Sequence, residues 1–209
     1  MHRVTPLKVL YFGTPVVLLG TRNEDGSSNL APMSSAWWLG QTCVLGLGDA
    51  AQTATNLRRE RECVLNLPSA SLAAHVDRIA LLTGRAEIPA QKLARGYTYS
   101  RAKFAAAGLT EQPADLVAAP RVTECPIQLE ATLTATHAMD GCTAFEVEVL
   151  RAHVAEDLLI PGTAYVDPER WDPLLMKFCE YFGRAENVHP SRLAGAWRMP
   201  HPASATARR

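Results

Sequence analysis

VVLLGTRNEDGSSNLAPMSSAWWLG (residues 16–40) and, after Gln41-Thr42, CVLGLGDAAQTATNLRRERECVLNLPS (residues 43–69) set the architecture of this chain. Two apolar runs flank Asn23-Glu24-Asp25-Gly26, a turn signal in which Gly accepts positive φ and Asn and Asp favour reversal. Val16 to Thr21 reads as a buried strand and Ser28 to Leu39 as its partner, with Pro32 marking an edge or a bulge. Thr42 to Leu47 is a further apolar strand. Thr53 to Glu62 reads as a helix with Thr53 as a candidate N-cap, because this polar window has few breakers. Glu62 to Leu67 returns to strand. Small hydroxyl and amide side chains therefore gather at strand ends and at a helix start, an arrangement suited to a bound phosphate and a flat polar ring.

Outward from this stretch, Lys8 to Phe12 is a short strand candidate, and Pro15 breaks the chain after it. Ser69 to Leu82 reads as a helix with Ala73, Val76, Ile79 and Ala80 on one face. Residues 83–119 mix Gly, Pro, Lys, Arg and Tyr around one short helix, Arg101 to Ala107 capped by Ser100, and read as an excursion or lid. Arg121 to Ala135 and Thr143 to His153 alternate as a long antiparallel hairpin around Met139-Asp140-Gly141-Cys142. Asp167 to Phe182 reads as a C-terminal helix with Pro168 in its first turn. Residues 1–199 are expected to form a single domain, and residues 200–209 a disordered tail. Strand runs joined by short turns predict a mainly β protein, an antiparallel Greek-key-like barrel with peripheral helices, rather than βαβ units.

Composition narrows the function classes. Lys plus Arg equals Asp plus Glu at 21 each, so no global field favours nucleic acid or an anionic membrane. No apolar run reaches the length of a membrane helix, and Lys8 interrupts any signal-like core. Five widely spaced cysteines without a CxxC pair argue against a disulfide framework or a zinc ribbon and fit a reducing cytoplasm. His75, His137 and His153 share no metal-ligand spacing, so no metal is expected. Ser34-Ser35 lack a GxSxG elbow, and Gly46-Leu47-Gly48 continues as neither a dinucleotide fingerprint nor a P-loop. Arg58, Arg59 and Arg61 beside Glu60 and Glu62 read as a solvated, ion-paired face. Trp37 and Trp38 must point to opposite faces of their strand, one to the core and one to a ligand or a partner.

The order DG-x-x-N-x-A-P-x-S-S (from Asp25), T-x-x-N-L (from Thr53) and V-x-N-x-P (from Val64) resembles the flavin reductase-like family, an FMN-binding split β-barrel. Lys103-Phe104, Gly108-Leu109-Thr110, Ala119-Pro120-Arg121 and Glu124-Cys125-Pro126 are similar to its flavoredoxin-like branch. The resemblance implies a homodimer that holds FMN at its interface, with FAD less favoured. It places the flavin ring against Asn29, Ala31, Pro32, Met33, Ser34 and Ser35 and the phosphate against Gln52, Thr53, Thr55 and Asn56, with Lys103 or Arg58 adding a charge-assisted bond. It also implies hydride transfer from NAD(P)H to bound FMN, serving a partner oxygenase or another electron acceptor. Catalytic side chains are not implied, since the chemistry belongs to the cofactor. Tyr97, Tyr99 and Lys103 are expected to close over the ring from the excursion. Two departures from the family pattern stand out, and the second favours an alternative, a flavin-binding electron-transfer module without nucleotide turnover. Leu39-Gly40-Gln41-Thr42 stands where many members carry Pro-Pro, and Asp140-Gly141-Cys142, with His137 three residues earlier, stands near where many carry Gly-Asp-His.

Overall fold

A computed structural model describes residues 1–189, 191–197 and 199–200, so most of the expected tail lies outside the described residues. The elements are β1 (Phe12–Pro15), β2 (Val17–Arg22), β3 (Ser28–Met33), β4 (Ala36–Leu39), β5 (Thr42–Gly48), α1 (Gln52–Glu60), β6 (Glu62–Leu67), α2 (Ala73–Asp77) and β7 (Leu82–Thr83). There follow α3 (Ala90–Leu93), β8 (Thr98–Tyr99), α4 (Lys103–Ala107), β9 (Glu111–Gln112), β10 (Arg121–Val122), β11 (Ile127–Met139), β12 (Cys142–Val154), β13 (Leu175–Lys177), β14 (Glu180–Phe182) and α5 (Arg192–Ala196).

Seven strands form one antiparallel sheet in the order β3-β2-β6-β11-β12-β5-β4. Its two edge strands, β3 and β4, are neighbours in sequence, joined only by Ser34-Ser35. A link that short forces the edges together, so the sheet curls into a barrel whose split lies at the two serines. Beside the split the Gly46 N–H donates to the Ser35 carbonyl at 2.8 Å, extending the β4–β5 ladder by one residue.

Alternation along each strand explains the two cores. Val17 and Leu19, Cys43 and Leu45, Cys63 and Leu65, and Phe145 and Val147 point into the barrel and are fully buried there with Leu57 of α1. The intervening Leu18 points outward, into a second core with Leu30, Val76, Ile79, Val122 and Leu174. Residues 83–119 seal that outer face. The excursion is pinned by Glu130, a fully buried carboxylate that accepts the Asp115 and Leu116 N–H groups at 3.0 and 2.6 Å and pairs with His153 at 2.6 Å. Asp115, Glu130 and His153 lie close enough to suggest a metal site. However, donors already fill the Glu130 oxygens, and the Arg151 and Arg121 guanidiniums flank Asp115 at 2.7 and 3.9 Å, which makes the group a clasp.

Several local expectations are corrected. The strand Ser28–Leu39 breaks at Ser34-Ser35, where the chain crosses the split. Helix α1 begins at Gln52 with Ala51 at the N-cap, so Thr53 lies inside the first turn and does not cap it. Only Ala73–Asp77 of the segment Ser69–Leu82 is α-helical, preceded by a 3₁₀ turn, although Val76 and Ile79 are buried as their spacing requires. Helix α4 starts at Lys103 behind Ala102, not behind a Ser100 cap. The first strand lies at Phe12–Pro15 and includes Pro15, and β11 begins only at Ile127, after Pro126.

The largest correction is Asp167–Phe182, which contains the hairpin β13–β14 instead of a helix. Asp167 Oδ1 accepts the Glu169 N–H at 2.9 Å, and Pro173 bars helix continuation. Phe178 and Cys179 turn the chain at φ of 48° and 69°. Strand β13 then pairs with β1, a partner 160 residues away that no local pattern announces.

Candidate functional site

Three chambers run end to end along the outside of the barrel beside its split. A polar chamber of about 360 Å³ is bounded by Asn23, Glu24, Asp25 and Arg101, whose guanidinium pairs with Asp25. Through Gln52 and Gly84 it joins a waist of about 120 Å³ with Ala31, Thr53, Lys92 and Lys103 in its walls. Through Pro32, Met33, Leu47, Ala80 and Tyr97 the waist opens into a wider chamber of about 470 Å³ bordered by Ser34, Ser35, Tyr11 and Tyr181. A larger open cavity of about 740 Å³ lies at residues 156–170, among turns that carry none of the sequence candidates.

The waist is built around the start of α1. Ala51 at the N-cap has no side-chain oxygen, and no acidic residue occupies the first turn. The leading backbone N–H groups therefore remain as donors at the positive end of the helix dipole. Opposite them stands Lys103, only 3 % exposed, whose Nζ donates to Asn29 Oδ1 at 3.0 Å and has no carboxylate partner among the described residues. Burial, reinforced by the charge of Lys92, pulls its ammonium down to about 8. A buried cation facing free N–H donors is a chemical match for a phosphate monoester. Gly84 permits the narrow approach: a Cβ there would lie 2.9 Å from Asn29 Oδ1.

A buried hydrogen-bond network holds these groups. The Asn29 Nδ2 group donates to Thr21 Oγ1 and Thr53 Oγ1, both at 3.1 Å. Asn56 donates to Thr21 Oγ1 at 3.1 Å and Asn23 Oδ1 at 2.9 Å, and its own Oδ1 accepts from Gln52 Nε2 at 2.8 Å.

Of the residues expected around a ring and a phosphate, Ala31, Pro32, Met33, Ser34, Ser35, Gln52, Thr53 and Lys103 line the continuous groove. Asn29 and Asn56 stand behind it as buried scaffold, and the Thr55 hydroxyl turns back to the Ala51 carbonyl at 3.4 Å. Arg58 points away, to Asp49 at 2.6 Å and Thr143 at 2.7 Å, as the ion-paired reading of that face expects. Tyr97 reaches the groove, whereas Tyr99 lies outside its walls. Trp38 packs on the barrel core and Trp37 stands 55 % exposed, as alternation requires. His137 pairs with Glu146 at 2.6 Å on the exposed hairpin.

Sequence reading missed Tyr11, Lys92, Arg95, Met176 and Tyr181 as groove residues. Tyr11 and Tyr181 arrive through the unforeseen pairing of β1 with β13, and Tyr11 Oη lies 3.3 Å from Ser35 Oγ. Lys92 and Arg95 come from α3 and its exit, where the only local signal is two cations on one turn.

Residues 9–182 match the family model described as a flavin reductase like domain. The uncharacterized protein YdfE of Bacillus subtilis (strain 168) is 40 % identical over 184 residues, which cover 87 % of this chain and 88 % of that protein. The fold is similar to that of flavoredoxin from Desulfovibrio vulgaris (Miyazaki F), with a TM-score of 0.77 at 24 % identity over 93 % of this chain and all of that one. It is also similar to nitrilotriacetate monooxygenase component B from Bacillus cereus, with a TM-score of 0.71 at 19 % identity, covering 91 % and 98 % of the two chains.

Proposed function

The chain belongs to the flavin reductase-like family, and on that premise we propose that it is an FMN-binding oxidoreductase that takes hydride from NAD(P)H. The observation that carries the reading is the waist, where the uncapped start of α1 faces the buried, carboxylate-free Lys103. That donor set fits a terminal phosphate monoester. FAD fits less well, because the chamber beyond the waist presents Glu24 to any second phosphate while its Arg101 is already paired with Asp25.

FMN, when bound, supplies hydride acceptance and release; the protein's own part is to bind, orient and shield. Lys103 and the first N–H groups of α1 hold the phosphate, with Thr53 beside them and Gln52, Asn29 and Asn56 fixing the geometry from behind. The Ala31–Ser35 segment is the platform for the ring. It leaves the ladder at Ser34-Ser35, so the N–H groups of these two serines are free to donate to the ring edge. Tyr97, on the excursion, covers the groove and limits water.

Delivery of reducing equivalents to a partner oxygenase or another acceptor is part of the proposal, consistent with the likeness to a monooxygenase component B. So is a homodimer: Trp37, Leu39, Phe12 and Phe178 are all exposed on β4, β1 and the β13–β14 turn, and β1 lies against β4. An apolar patch of that kind marks an association surface. All five cysteines are free, which supports a cytoplasmic location, and no described helix is long and apolar enough to cross a membrane.

The test is the visible spectrum of the purified protein with FMN, before and after anaerobic NADH and NADPH. Perturbed flavin bands that bleach with one nucleotide are expected; a protein that fails to bind FMN would overturn the proposal. A second reading, an electron-transfer module, is favoured by Asp140-Gly141-Cys142, none of which lines the groove. Bound flavin that bleaches with dithionite alone would select it.

A further inference from the structure

The wide chamber holds more than a flavin requires. Among the described residues no Asp or Glu lines either the waist or the wide chamber, while Lys92 and Lys103 line the first and Arg95 the second. Lys92 lies 5.3 Å from the Tyr97 ring centre, and Arg95 has no ion pair among the described residues. Across the whole chain positive and negative groups balance at 21 each, so this is a local excess of positive charge. A phosphate at Lys103 accounts for the waist. The flavin ring system is uncharged in its oxidised form, so in that state it offers no charged partner to a guanidinium at the opposite end.

The walls around Arg95 are aromatic and soft. Tyr11, Tyr97 and Tyr181 border the chamber with Met176, and none of the three rings is fully exposed. Tyr181 is half-buried, and burial, followed by the charge of Asp77, raises its phenol above the ordinary value. Aromatic faces and a thioether favour a flat ring. A guanidinium in such surroundings favours a carboxylate, which matches its planar fork.

We infer that the wide chamber binds a planar aromatic acid, its carboxylate on Arg95 and its ring among Tyr11, Tyr97 and Tyr181. The inference rests on the flavin reading above and names the class of second ligand admitted beside the flavin. Hydride transfer to it is no part of the claim.

The probes are benzoate and its uncharged isostere benzamide, titrated into the FMN-loaded protein while the flavin absorption band is followed. FMN affinity is measured first and separately, by quenching of free FMN fluorescence. Benzoate is expected to bind about tenfold or more tightly than benzamide, a discrimination set by one charge-assisted contact. Arg95→Gln is expected to bring the two within about threefold of each other, and Tyr181→Ala to weaken both. Equal binding of the two probes, an unchanged ratio in Arg95→Gln, or competitive displacement of FMN by benzoate would each overturn the inference and leave the flavin reading standing. Absence of FMN binding would overturn both.

Discussion

Lys103 shows how one residue couples stability, pH and ligand. Its folded value of about 8 lies below the ordinary 10.5, so the folded ligand-free protein gives up this proton first as pH rises. Between those two values the unfolded chain binds more protons, and stability contributed by this group increases with pH. At neutral pH the buried charge costs up to about 3 kcal/mol. Lys103→Met is therefore expected to raise the urea midpoint of the ligand-free protein at pH 7 while weakening FMN binding. In the wild type, binding a phosphate requires the charged lysine, so FMN affinity should fall as pH rises above about 8. Titration calorimetry across pH 7 to 10 checks this, and the Lys103→Met profile should be flat in that window.

A second residue acts through backbone alone. Asn66 is fully buried; its amide donates to the Leu18 carbonyl at 3.0 Å and its Oδ1 accepts the Val122 N–H at 2.8 Å. Asn66→Ala strands both backbone groups and is expected to cost about 2–3 kcal/mol in chemical denaturation.

Among elements, close backbone approach decides what can be changed. A Cβ on Gly20 of β2 would sit 2.3 Å from the Pro120 carbonyl oxygen, a backbone atom that cannot step aside. A Cβ on Gly46 of β5 would meet Ser35 less closely, its Cβ at 3.0 Å and its carbonyl oxygen at 3.8 Å. Gly20→Ala should thus lower the melting temperature by several degrees more than Gly46→Ala, since overpacking costs about 1–3 kcal/mol where neighbours are fixed. The same close approach explains how the excursion lies flat on β2 and so reaches the groove with Lys92, Arg95, Tyr97 and Lys103.

For the whole molecule, the barrel split, the groove and the apolar patch share one side of the sheet's edge. Trp37 and Leu39 belong to β4, and β4 continues from the Ser34-Ser35 wall of the groove. Sedimentation velocity is expected to show twice the chain mass. Leu39→Glu should shift the protein toward monomer and weaken FMN binding with it, because a charge cannot be buried unpaired in an apolar contact. A monomer with undiminished FMN affinity would separate the patch from the site.

Much of this was legible in the sequence. Apolar runs marked β2, β5 and β6, of which β2 and β6 are buried on both faces, and alternation marked the long hairpin, because burial on one face demands period two whatever the fold. The run from Asn29 to Ser35 and the start of α1 marked the groove, since short hydroxyl and amide side chains at strand ends and a helix start have a local signature. Local pattern misjudged Thr53 as a cap and Asp167–Phe182 as a helix, and it gave Asn56 to the groove, whereas its side chain is tied into the buried network behind the wall. In each case a contact distant in sequence outweighed local propensity: Asn29 on Thr53, β1 on β13, and Thr21 and Asn23 on Asn56. The sequence by itself determined β2, β5, β6 and the long hairpin, and which short polar side chains gather near the start of α1. Only the tertiary structure decided that Lys103 is buried, that Tyr11, Arg95 and Tyr181 meet over one chamber, and where the barrel splits. Period and propensity are properties of neighbours in sequence, whereas burial and charge balance depend on every segment that packs nearby.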